Sequence, residues 1–131
     1  MTRPVFEQRR APEPADIDEL GHVNNAVYVR WIQDIAVAHW ESVAPAEQRD
    51  ATVWVVTRHA IDYRAPTLPG DTVTLKTWVG EPKGARFDRH VEIVGDDGKV
   101  RVSAVTTWAL LDRRTQRLMR VTADIAAPFL R

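Results

Sequence analysis

The chain has 131 residues, which predicts one domain over 1–131, large enough to bury about two-thirds of its unfolded surface without metals or disulfides. Lys+Arg and Asp+Glu are 18 each, so the formal net charge is zero, which speaks against bulk nucleic-acid binding. Cysteine is absent, which excludes disulfides, thiolate catalysis and cysteine metal sites. The N-terminus lacks an apolar leader and no apolar run approaches a membrane span, so the expectation is a cytoplasmic protein with no membrane contact.

In chain order, residues 3–10 read as a short strand stopped by Pro12 and Pro14. Residues 15–23 form a loop carrying "DIDELGHV". A helix is predicted from Asn25 to Val43, capped by Asn24 or Asn25, because a short side-chain acceptor satisfies an orphan amide of the first turn. Pro45 and its neighbours end it. Val27, Trp31, Ile32, Ile35 and Ala36 make the helix apolar on most sides, so it is expected to be wrapped rather than laid on a surface. Its polar stripe, Arg30, Gln33, Asp34 and Glu41, is expected to form ion pairs along one face.

Four strands follow. Residues 52–65 are rich in β-branched and aromatic side chains. Residues 72–81 place Val73, Leu75, Thr77 and Val79 on one face, and residues 86–94 alternate Phe87, Arg89, Val91 and Ile93 against polar neighbours. "GDDGK" is a hairpin signal before the strand 100–112. Short connections make these strands antiparallel. The predicted architecture is α+β: a curved antiparallel five-stranded sheet wrapped around one long central helix. Its edge strands invite pairing between protomers.

The run D-x-D-x-x-G-H-V-N-N-x-x-Y (16–28), an apolar helix and then "YRAPTLPGD" resemble the hotdog-fold acyl-CoA thioesterases of the 4-hydroxybenzoyl-CoA thioesterase type. The same run recurs in acyl-acyl-carrier-protein thioesterases. The resemblance covers nearly the whole chain and says little about the acyl group. It implies that Asp18 is the catalytic carboxylate and that the helix-start amide at Asn25, with Asn24 adjacent, polarises the thioester carbonyl. His22 is the histidine of the motif. Plant-type carrier-protein enzymes have an asparagine two positions after the aspartate; here it is Leu20, which departs from an aspartate–asparagine–histidine constellation. The resemblance further implies a homodimer or homotetramer with sites assembled across the dimer, and an acyl-CoA or acyl-carrier-protein thioester as substrate.

The chemistry agrees with those residue types. Thioester hydrolysis needs an activated water or a nucleophile, which Asp18 supplies as base or by direct attack. It also needs charge stabilisation on the carbonyl oxygen, which a helix N-terminus supplies through free N–H groups and its dipole. Removal of one such donor in other enzymes costs about 2.7–4 kcal/mol. Each residue has a plainer alternative: an Asx turn or solvated charge for Asp18, a structural histidine for His22, caps for Asn24 and Asn25, core packing for Tyr28. Asp16 is expected to bond loop amides, and Asp34 or Glu41 is an alternative helix-borne acid. Trp31, Trp54, Val56 and Phe87 are candidate acyl liners, with core packing as the alternative. Arg58, Arg86 and Arg89 are candidate phosphate-binding cations at a pocket mouth, alongside Arg64, Lys83, Arg113 and Arg114. Asp16, Asp18 and His22 match no familiar metal spacing, so no metal and no cofactor is expected. Rival functions are a non-catalytic acyl-CoA-binding module and a hotdog hydratase or dehydratase.

Overall fold

The computed structural model describes residues 3–131. Strand β1 (Phe6–Arg10) leads through a 3-10 turn (Pro14–Asp16) into helix α1 (Asn25–Val43) and the short helix α2 (Ala46–Ala51). Strands β2 (Thr52–Tyr63), β3 (Val73–Lys83), β4 (Arg86–Gly95) and β5 (Val100–Asp112) follow, and the chain closes with α3 (Ala123–Ala126) and a 3-10 turn (Ala127–Leu130). The long helix has the bounds its sequence predicts, and each strand lies within a few residues of its predicted position.

All five strands pair antiparallel in the order β1-β3-β4-β5-β2. The expected curved five-stranded sheet with a long helix is thus present. Alternation decides which face meets α1. Val73, Leu75, Thr77 and Val79 of β3 are buried, as are Phe87, Arg89, Val91 and Ile93 of β4. Val73, Leu75, Val91 and Ile93 pack with Val27, Trp31, Ile32 and Ile35 of the helix. A second cluster lies towards the C-terminal end of α1, where Val79, Phe87 and Leu110 meet Val121, Ile125 and Phe129 of the closing segment. That closing segment has no counterpart in the elements predicted from sequence.

The topology fixes which ends meet. Strands β1 and β2 run in the same direction at opposite edges, so the end of β1, the start of α1, the end of β2 and the start of β3 share one end of the sheet. The end of α1 and the start of β2 share the other. Among the described residues no helix is long and apolar enough to cross a membrane.

The helix stripe differs from its expected pairing. Arg30 reaches Asp16 (2.7 Å) and Asp34 reaches Arg10 (3.1 Å), so these charges tie α1 to the preceding loop and to β1. An acceptor on a fixed loop offers Arg30 a bond to a nearly buried carboxylate, which an exposed helix neighbour does not.

Candidate active site

The loop before α1 folds as a miniature hairpin. Ile17 and Val23 form an antiparallel bridge, and the Asp18 amide donates to the His22 carbonyl (2.9 Å). Gly21, at φ +79°, turns the tip, and its amide donates to the Asp18 carbonyl (3.0 Å). An L side chain rarely adopts that backbone, so glycine is the fitting residue there. The hairpin places Asp18 and His22 opposite one another, immediately ahead of the helix. The Val23 amide donates to Thr67 and the Asn24 amide to Asp16 (2.9 Å each), which ties the hairpin to the β2–β3 connection and to its own start.

Asp16 is the pivot of this loop. Its carboxylate accepts the Glu13 amide (2.8 Å) and the Arg30 guanidinium (2.7 Å). The Glu13 amide first, and then Arg30, hold its carboxyl below the usual range, against the opposing effect of burial. Asp16 therefore bonds a loop amide, the role its sequence position suggests.

Asn24 is the cap of α1: its side chain accepts the Ala26 amide (2.9 Å). The Asn25 amide, one position on, has no partner among the described residues, and it stands at the positive end of a 19-residue helix. Asp18 is half-buried, and its Oδ1 accepts the Leu20 amide (2.9 Å), an Asx turn. Its Oδ2 has no partner among the described residues.

An open cleft of about 250 Å³ lies at this end of the helix, walled by His22, Val23, Asn25, Tyr28 and by Tyr63, Arg64, Ala65 and Pro66 from the end of β2. The structure thus brings His22, Asn25 and Tyr28 into one wall, with Asp18 bonded to His22 through the backbone. Tyr28 is buried, and its hydroxyl both donates to Thr67 Oγ1 (2.9 Å) and accepts the Thr67 amide (3.2 Å). It serves core and cleft together.

The three arginines expected at a pocket mouth do not gather there. Arg58 and Arg86 are exposed on β2 and β4 and form no part of the cleft wall. Arg89 is 5% exposed, inside the sheet, because its place in the β4 alternation faces it inward with Phe87 and Val91. Its Nη1 donates to His39 Nδ1 (2.9 Å) and Thr77 Oγ1 (3.0 Å), and its guanidinium lies 5.2 Å from the centre of the Phe129 ring. The cleft's own cation is Arg64, which topology places there and which local spacing does not single out.

A second, mostly apolar cavity of about 190 Å³ lies beside the C-terminal half of α1. Trp40, Trp54, Phe87, Trp108 and Phe129 border it, as does Arg89. Of the candidate acyl liners, Trp54 and Phe87 reach it, Val56 is not in its wall, and Trp31 is a fully buried core residue. On one chain the Asn25 amide and the cavity residues Ala36 to Trp40 are about 16–22 Å apart along the helix.

A helix sheathed by a five-stranded antiparallel sheet, with a cleft at its N-terminus, defines the hotdog class of α+β proteins. Comparison with known proteins carries this to a family. The profile of the Thioesterase-like superfamily matches residues 12–129, and the chain belongs to that superfamily. A putative oleoyl thioesterase from Lactobacillus plantarum superposes with a TM-score of 0.88 at 17% identity, over 97% of this chain and 51% of that one. A thioesterase from Thermus thermophilus, complexed with coenzyme A and Zn, gives 0.83 at 22% identity over 97% and 92% of the two chains. A 1,4-dihydroxy-2-naphthoyl-CoA thioesterase from Synechocystis gives 0.83 at 16% identity over 96% of each. At such identities the likeness is one of fold. In sequence, 75 residues are 28% identical to a chloroplastic acyl-[acyl-carrier-protein] hydrolase of Cuphea viscosissima, covering 56% of this chain and 18% of the relative's length.

Proposed function

We propose that this protein hydrolyses an acyl thioester, carried on coenzyme A or on an acyl carrier protein, to the free acid and thiol. The observation that carries the reading is the helix-start hairpin. Asp18, whose Oδ2 has no described partner, and Asn25, whose amide has none, flank His22 seven residues apart in sequence; His22 and Asn25 line the cleft, and Asp18, which does not, is joined to it by the backbone bond to His22. The carbonyl oxygen sits at the Asn25 amide, where the helix dipole favours negative charge. Asp18 Oδ2 activates water or attacks the carbonyl carbon, and Oδ1 stays on the Leu20 amide and fixes the carboxylate's direction. Arg64 lies in the cleft wall, where a phosphorylated carrier group would be met by positive charge. Membership of the superfamily and the coenzyme A held by the Thermus thermophilus protein support this substrate class.

The active unit in this reading is a homodimer paired through β2, the edge strand of twelve residues. Twofold antiparallel pairing sets the Thr52 end of one β2 against the Tyr63 end of the other. The apolar cavity of one protomer then meets the helix-end cleft of its partner, and the acyl group passes from one into the other.

One observation favours the rival, a non-catalytic acyl-binding module: the Asx turn already gives Asp18 a structural duty. The Asp18→Asn variant separates the two, because an amide oxygen keeps the turn but not the base. Assayed by thiol release over an acyl-CoA panel, it is expected to lose about 10²–10⁴-fold in kcat with an unchanged melting temperature. Hydrolysis near the wild-type rate removes Asp18 from catalysis, and no thiol release from the wild type with any acyl-CoA or acyl-carrier protein removes the reaction.

A further inference from the structure

A guanidinium held in a protein interior ordinarily faces a carboxylate, since an unpaired buried charge is costly. Arg89 has none. Its partners are His39, Thr77 and the Phe129 ring, all of them neutral, because burial, with the Arg89 charge adding to it, pushes the His39 imidazole down to about 4. Only Nη1 is engaged; Nε and Nη2 have no partner among the described residues. The one acid bordering the same cavity, Asp88, accepts the Thr107 hydroxyl (2.7 Å). Burial lowers Arg89 to about 10, so it stays cationic at neutral pH.

The space beside it is small and aromatic. A cavity of about 150 Å³ holds a benzene molecule in another protein, so about 190 Å³ suits a short acyl chain with one polar group at its end. Two further cations, Arg49 and Arg113, border the cavity. Arg113 is engaged with the carbonyls of Arg49, Asp50 and Thr52. The walls therefore carry three cations against one acid, Asp88, an excess of positive charge.

Resting on the thioesterase reading above, we propose that this cavity selects acyl groups whose far end is a carboxylate, with Arg89 as the specificity-determining residue. The chain's methylenes lie against Trp54, Phe87 and Phe129, and the terminal carboxylate takes the free edge of the guanidinium as a two-point ion pair. The ligand thereby supplies the counter-charge that the fold leaves out.

The test uses matched substrates on the full-length protein: succinyl-, adipoyl- and suberoyl-CoA against butyryl-, hexanoyl- and octanoyl-CoA, with 6-hydroxyhexanoyl-CoA as a neutral polar control. At one chain length or more, kcat/KM for the carboxyacyl member is expected to exceed that of its methyl-ended partner by about tenfold, the equivalent of about 1.4 kcal/mol. Arg89→Met is expected to bring that ratio to one or below. If that variant does not fold, Arg89→Gln, which keeps amide donors without the charge, is read in the same way. A wild-type ratio at or below one at every length overturns the proposal. So does an unchanged ratio in the variant, or a hydroxyacyl substrate turned over as well as the carboxyacyl one. If no member releases thiol, the hydrolase reading fails by itself. The cavity is then read through tryptophan fluorescence of the wild type titrated with adipoyl-CoA and hexanoyl-CoA: tighter adipoyl-CoA binding upholds the carboxylate site, and equal or weaker binding overturns it.

Discussion

His39 and Arg89 form a buried polar pair in which only one member is charged. His39 is 4% exposed, stacks on Phe6 with ring centres 4.9 Å apart, and accepts from Arg89, which cannot itself accept. Its ring is therefore neutral in the folded chain, with a folded pKa near 4 against 6.5 for an ordinary histidine. Between those values the unfolded chain binds more protons than the folded one, so stability rises with pH across that window. Equivalently, stability that is full above pH 6.5 is lost as pH falls towards 4. Thermal melts are expected to show this loss before most carboxylates titrate, and His39→Gln is expected to flatten the dependence within the window. An equally steep dependence in the variant would place its origin elsewhere. In the β4 sequence the inward position of Arg89 is legible from alternation alone; what it bonds is not, because His39 lies 50 residues away.

At the scale of elements, the closing segment gives the fold a plug. Phe129 is 2% exposed, stacks on Trp40 (5.5 Å between ring centres) and meets the rings of His39 (5.1 Å) and Phe87 (5.7 Å) edge-on. Amides of Met119 and Val121 donate to Leu110 and Gly84, which ties the segment to the β3–β4 turn and to β5. Phe129→Ala removes a buried ring shared by four neighbours. Denaturant unfolding is expected to show a loss of about 3–5 kcal/mol, and a loss below about 1 kcal/mol would mean the segment is not seated there in solution. Helix α1 is the opposite case. Its Asn24 cap, apolar periodicity and terminating proline are all local signals, and its bounds follow from them.

At the scale of the whole molecule, the sheet ends on two unpaired edges, a five-residue β1 and a twelve-residue β2. A long exposed edge is a template for another strand, and Val55 on β2 and Val37 on α1 leave apolar surface beside it. Light scattering at micromolar concentration is expected to give at least twice the mass of one chain. Amide hydrogen exchange is expected to slow along β2, and not along β1, as concentration rises. A monomer with a fast-exchanging β2 would deprive each cleft of the neighbouring cavity and leave an acyl group only the open helix end.

The amino-acid order by itself determined the wrapped helix, the antiparallel strands, the resemblance to hotdog thioesterases and the crowding of Asp18, His22 and Asn25. All of these rest on neighbours within a few residues, where spacing fixes which side chains share a face or a cap. Only the tertiary structure decided that Arg64 stands in the cleft, that Arg58 and Arg86 do not, and that Arg89 is buried beside a cavity that Phe129 borders. Those placements depend on strand order and on which ends of the sheet coincide. Side chains far apart along the chain meet through the packing of the whole sheet, and local periodicity carries no record of that.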